Sequence, residues 1–157
     1  MDALLFKESI RRFVALSDKE ANLILTKCTI RSIKKNQFLL HSDAVVQKTF
    51  FIASGSAAAY FVNPEGEEHL IQFGFSGWWI SDIHSFLYGV RAKHNIKALE
   101  DTVVYEFTHE QREALFAEVP QLQSYFLIIT QNAFASFQQR VLNNLSLTAE
   151  ERYLNFC

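Results

Sequence analysis

The sequence predicts an α+β chain in which a small antiparallel β-barrel or sandwich is flanked by short helices and followed by one long helix. Three observations carry this. Between Ile30 and Phe107 short apolar runs of strand length alternate with turn residues. That region is bracketed by two capping-box patterns, Ser17 with Glu20 and Thr108 with Gln111. Finally, Gln121 to Leu145 holds twenty-five residues without Gly or Pro, enough for a helix of roughly 37 Å at ~1.5 Å per residue.

In chain order, LLFKESIRRFVAL places Leu5, Ile10, Phe13 and Leu16 at roughly helical spacing. Ser17 then caps a second short helix, from Asp18 to about Lys27. Strands are expected at Ile30 to Ile33, Phe38 to His41, Thr49 to Ala53, Ala57 to Val62 and His69 to Phe73. Ser54-Gly55-Ser56 and Asn63-Pro64-Glu65-Gly66 read as tight turns. After a break, Asn95 to Leu99 and Val103 to Phe107 read as a further strand pair across Glu100-Asp101. Thr108 caps a helix from His109 to about Ala117, and Glu118-Val119-Pro120 interrupts it before the long helix.

On the long helix Leu122, Phe126, Ile129, Ala133, Phe137, Val141 and Leu145 form one apolar stripe, with Leu127, Phe134 and Leu142 on a second side. A helix packed on one domain needs a single stripe. The second side predicts a partner, most simply the same helix from another copy, with the first stripe (Leu122, Phe126, Ile129, Ala133, Phe137, Val141) as the seam of a homodimer. Burial in a large monomer core is the alternative. Thr148 to Glu151 is one more capping box, opening a helix close to Cys157, which predicts a fragment or truncation of a longer architecture.

The 157 residues fit one domain with a small extension, and nearly half are apolar, including 15 Phe, so a folded core is expected. A formal net charge of −2 is unlike a nucleic-acid-binding surface. Two cysteines, Cys28 and Cys157, suit a reducing cytoplasm, and charged residues through Arg12 leave no signal-peptide core. No apolar run approaches the ~20 residues of a membrane span, so no membrane partner is expected.

With these elements in order, FFIASGSAAAYFVNPEGEEHLIQFGF resembles the strand-turn-strand core of cyclic-nucleotide-binding domains. ALEDTVVYEFTHEQREALFAEVPQL resembles their closing strands and following helix. The long helix and LTAEERYLNF are similar to the dimerisation helix and hinge of bacterial Crp/Fnr transcription regulators, and the similarity spans about residues 15 to 157. It implies a double-stranded β-helix (jelly roll) with flanking helices. Residues 1–120 would be the sensor, 121–147 the dimerisation helix, and 148–157 the start of the hinge. It also implies effector sensing, with DNA bound only through a C-terminal helix-turn-helix module beyond Cys157.

The family's ligand cassette corresponds to Gly77 to Ala98, GWWISDIHSFLYGVRAKHNIKA. In cyclic-AMP-binding members a Gly-Glu pair takes the ribose, and an Arg followed by a small residue takes the phosphate, a guanidinium fork and N–H groups neutralising its charge. Here no Gly-Glu pair is present and Asp82 is the only carboxylate. The phosphate-binding Arg position falls on Ala92, and Arg91-Ala92 restores the pair only with one inserted residue; Lys93 and His94 keep the region positive. By the resemblance, ligand-contacting candidates are Trp78, Trp79, Ser81, Asp82, Arg91, Ala92, Lys93 and Asn95. Ser136 joins them as the helix position that reaches a bound base, or else as a small residue at a helix contact. Trp78 and Trp79 either stack a base or close the pocket themselves, core filling being favoured. The departures count against cyclic AMP, which stays a candidate effector; no cofactor is assigned.

Other chemistry finds little support. His41, His69, His84, His94 and His109 are scattered without a paired-ligand motif, so no metal is expected, and Cys28 alone cannot hold an iron–sulfur cluster. Ser81, Asp82 and His84 crowd one short segment and do not make a nucleophile–base–orienter geometry. No phosphate-loop or dinucleotide fingerprint occurs, and the doublets Arg11-Arg12 and Lys34-Lys35 read as solvated faces. The chain is read as a non-enzyme. A stand-alone nucleotide-binding module acting on a partner protein is the alternative, with a cupin-like metalloenzyme as the remote third.

Overall fold

The computed structural model describes residues 2–146. The Thr148 capping box and the 148–157 hinge lie outside the described residues. The elements run α1 (Asp2–Arg11), α2 (Asp18–Lys27), β1 (Thr29–Ile33), β2 (Phe38–Leu40), β3 (Lys48–Ser54), β4 (Ser56–Val62) and β5 (Glu68–Phe75). They continue with β6 (Trp79–Ile80), α3 (Ile83–Tyr88), β7 (Asn95–Ala98), β8 (Thr102–Thr108), α4 (His109–Glu118) and α5 (Gln121–Ser146). Two four-stranded antiparallel sheets result, ordered β1-β8-β3-β6 and β2-β7-β4-β5.

Both capping boxes form. The Ser17 hydroxyl accepts the Glu20 N–H while the Glu20 carboxylate accepts the Ser17 N–H, and Thr108 and Gln111 reciprocate in the same way. These bonds satisfy helix-end donors that would otherwise go unpaired. Of the expected stripe Leu5, Ile10, Phe13 and Leu16, Ile10 and Leu16 are buried, Leu5 is half-buried and Phe13 is 42% exposed beyond the end of α1, while Phe6 takes the inner position on the helix.

One expectation is overturned. β7 and β8 do not pair with each other: β7 lies between β2 and β4, and β8 between β1 and β3. Glu100-Asp101 is a corner at which the chain leaves one sheet for the other. Gly55 is a second such corner, since β3 and β4 also belong to different sheets. The two corners are clasped together, with the Ser56 N–H donating to the Thr102 hydroxyl (3.2 Å) and that hydroxyl donating to the Ser56 carbonyl (3.1 Å). By contrast Asn63 to Gly66 closes a true hairpin between paired β4 and β5.

Strand alternation divides the apolar residues into two cores. Phe50 and Ile52 of β3, Val104 of β8, Ala57 and Ala59 of β4 and Ile96 and Ala98 of β7 meet between the sheets. Phe51 and Ala53, with Tyr105 and Phe107, face the other way and meet Phe6, Ile10, Ile24, Leu115, Leu122 and Tyr125 from the helices. Glu106 alternates onto the same face as Val104 and is fully buried. It is paired at 2.6 Å with both Arg31 and Lys48 from the strands on either side.

α5 changes character along its length. Leu122 and Tyr125 are buried in the helical core, with Phe126 and Ile129 packed against it. From Gln131 onward the side chains stand exposed, apart from half-buried Asn143. The inner half of the expected dimer stripe is therefore domain core: Leu122, Phe126 and Ile129 are used at home. The unused apolar surface is Leu127, Phe134, Phe137, Val141, Leu142 and Leu145, with Phe134 59% and Leu145 81% exposed.

Candidate functional site

The segment from Gly77 to Ala98 leaves the β1-β8-β3-β6 sheet through β6, forms α3, and re-enters the other sheet as β7. α3 starts at its cap Asp82 and stops at Gly89, whose φ of 63° lies in the left-handed region that glycine tolerates. From there Arg91 makes an isolated antiparallel bridge to Val45, and the Ala92 N–H donates to the Ala44 carbonyl at 2.8 Å. Phe86, on the inner side of α3, fills the space between the sheets.

Asp82 ties this segment together. Its side chain is almost fully buried, Oδ1 accepting the Ser85 N–H and Oδ2 the Lys93 N–H, each at 3.0 Å. His94 Nδ1 lies 3.5 Å from the same Oδ2. Burial alone would raise this carboxyl's pKa. The N–H groups of Lys93 and Ser85, with the Ser85 hydroxyl and His94, outweigh that and hold it below the ordinary aspartate value. Burial pushes the His94 imidazole below its usual value, with the Asp82 charge only partly offsetting it. Ser85 makes a second tie, its hydroxyl donating to the Arg91 carbonyl at 3.1 Å.

The other expected contact residues disperse. Arg91 is exposed and its guanidinium donates to the Asp43 carbonyl at 2.6 Å. The Lys93 side chain is exposed and Ser81 is half-buried. Asn95 Oδ1 accepts the Ser42 N–H at 2.9 Å, pinning the neighbouring turn. Ser136 stands on the exposed half of α5. Trp78 is 53% exposed, edge-on to Phe75, and does not fill a core. Trp79 packs into the helical core between Phe51, Phe107 and Phe126. Its indole N–H donates to the Tyr125 hydroxyl of α5 at 2.9 Å. Trp79 alternates with Ile80, which faces the space between the sheets, and Trp78 precedes the strand on the exposed surface, so neither tryptophan enters that space.

Sequence reasoning weighed Asp82 but missed its partners Ser85 and the Lys93 N–H, and treated His94 only as positive charge. The Asp-x-x-Ser spacing at Asp82 was the readable cue for a helix cap. An open groove of about 540 Å³ lies between α3 and the start of α4, lined by Val46, Phe86, Tyr88, Thr108 and His109. Among the described residues no group of three or more His, Cys, Asp or Glu side chains could hold a metal ion. No described helix is long and apolar enough to cross a membrane.

Comparison with known proteins agrees with this architecture. The family model for the cyclic nucleotide-binding domain matches residues 30–119. The transcriptional activator protein anr of Pseudomonas aeruginosa is 27% identical over 128 residues, covering 80% of this chain and 51% of the relative. The anaerobic regulatory protein of Haemophilus influenzae is 26% identical over 141 residues, covering 88% and 52%. The chain thus spans about half the length of the curated relatives it matches. A cyclic nucleotide-binding domain from Methylobacillus flagellatus superposes with a TM-score of 0.76 at 16% identity, over 93% of this chain and 85% of that one, a likeness of fold. With more than half its length matched by the family model, and with the two sheets, the intervening helical segment and the long final helix in place, the chain belongs to the cyclic nucleotide-binding domain family.

Proposed function

We propose that this chain is the effector-sensing and dimerisation part of a Crp/Fnr-type transcription regulator. Residues 1–120 form the sensor, 121–147 the dimerisation helix, and 148–157 the approach to a DNA-reading module. The observation that carries this reading is the distal half of α5. It bears Phe134, Phe137, Val141, Leu142 and Leu145, all exposed, and touches its own domain through the Arg140 bond to the Ile71 carbonyl, which leaves those side chains uncovered. A second copy offers the same helix and the same stripe, which is the self-complementarity a two-fold interface requires. The regulator relatives support the sensing role. An effector would act by preferring one packing of the helix pair over another.

Light scattering on the purified chain tests it. Wild type is expected as a dimer at micromolar concentration. Phe134→Glu should be a folded monomer, because its charge would be buried only in the pair. Leu122→Glu should instead unfold, since that side chain belongs to the domain core. A monomeric wild type, or a Phe134→Glu variant that remains dimeric, would overturn the reading.

A further inference from the structure

The converging main-chain N–H groups of the cassette and its one guanidinium are already used within the chain; the exposed Lys93 ammonium is not among them. The Ser85 and Lys93 N–H groups, from opposite ends of the segment, converge on one buried carboxylate. The Ala92 N–H is taken by the Ala44 carbonyl, and the Arg91 guanidinium is turned out to the Asp43 carbonyl. A helix cap accounts for Oδ1 of Asp82, which bonds three residues ahead. It does not account for Oδ2, which bonds eleven residues ahead and lies beside His94.

We propose that Asp82 is the specificity-determining residue of this sensor: its carboxylate is the cassette's own resident anion, and it excludes negatively charged effectors, cyclic phosphates among them. An incoming phosphate would lie beside a fixed like charge in a poorly solvated setting, which is strongly unfavourable. It would also find the Ser85, Ala92 and Lys93 N–H groups satisfied, and gain none of those hydrogen bonds to offset its own desolvation. The inference rests on the sensor reading only in taking this segment as the effector-facing part.

The test is chemical rescue, read by thermal melting of the full chain. Wild type and Asp82→Ala are compared in sodium chloride, sodium formate and sodium phosphate at equal ionic strength, and with cyclic AMP. Asp82→Ala is expected to melt lower in chloride. It should regain roughly 3–6 °C once formate or phosphate exceeds its Kd about tenfold, while wild type moves with none of the added anions. A residue that merely caps α3 would lose stability on truncation without anion-specific recovery, and that result overturns the proposal. So does a wild type stabilised by cyclic AMP or phosphate. If Asp82→Ala does not fold, Asp82→Gly, which leaves the same space open and is tolerated at a helix cap, is taken through the same series and judged by the same outcomes. The oligomeric state is read separately, so failure here and failure of the dimer reading are distinguishable.

Discussion

Gly55→Ala and Gly66→Ala make a matched pair with nearly the same φ and different surroundings. Both glycines have positive φ, 91° at Gly55 and 87° at Gly66. Left-handed backbone costs a residue bearing Cβ about 1–2 kcal/mol, and both variants bear that. At Gly66 a new Cβ has nothing within 4 Å, so the loss ends there. At Gly55 it would lie 2.5 Å from the Thr102 hydroxyl oxygen, 2.7 Å from the Asp101 carbonyl oxygen and 2.8 Å from the Thr102 Cα. Two of those atoms are backbone and cannot rotate aside, which adds an overpacking cost of about 1–3 kcal/mol. Gly55→Ala should therefore lose about 2–5 kcal/mol in all, and Gly66→Ala about 1–2. For a chain of this size that corresponds to Tm decreases of roughly 10 °C and 4 °C. The assay is urea unfolding at one protein concentration, fixed because a dimer's stability depends on it, with unchanged m-values confirming that only stability has moved. Equal losses in the two variants would refute the view that the clasped corner, and not φ alone, makes Gly55 obligatory.

Two further outcomes are expected. Tyr125→Phe removes the acceptor of the Trp79 indole N–H, leaving a donor in the helical core without its partner, at a cost of about 1–3 kcal/mol measurable by the same urea titration; no loss would mean that another group takes the proton. His94 has a folded pKa depressed below its unfolded value, so the unfolded chain binds the proton more readily. Its contribution is present above about pH 6.5 and is lost as pH falls toward the folded value, so Tm should decline from pH 7 to 5.5 and His94→Asn should flatten that slope. A Tm that rises on acidification in this window would contradict the assignment.

Much of the framework was readable because it depends on short-range patterns. Ser17 with Glu20 and Thr108 with Gln111 mark helix starts through bonds spanning three residues, and α5 begins at Gln121 as expected. What the pattern could not say is who buries which side of α5. Spacing identifies an apolar face but not its occupant, so Leu122 and Phe126 were given to a partner when their own domain uses them. The β7–β8 pairing failed for a related reason: a short polar turn between strands is compatible with a hairpin or with a corner between sheets. At the cassette, Asp82 could be located but not interpreted. Its partners at Ser85 and Lys93 are main-chain N–H groups, present at nearly every position, and only the folded path selects which of them converge.

The division of α5 into a buried root and a largely exposed shaft also has a geometric consequence. From Ile129, the last side chain of α5 in the helical core, to Ser146 is seventeen residues, roughly 26 Å of helix at ~1.5 Å per residue, touched on the way by β5 where the Arg140 guanidinium donates to the Ile71 carbonyl at 3.4 Å. Such a rod magnifies whatever happens at its fulcrum: a tilt of about ten degrees at the root sweeps the tip through roughly 4–5 Å over that length. Tyr125 is part of the fulcrum, and it is joined by a single hydrogen bond to Trp79, three residues before Asp82. A displacement of ångström scale where the cassette begins would be geared into a larger stroke at the far end of the helix, provided the Arg140–Ile71 bond to β5 gave way.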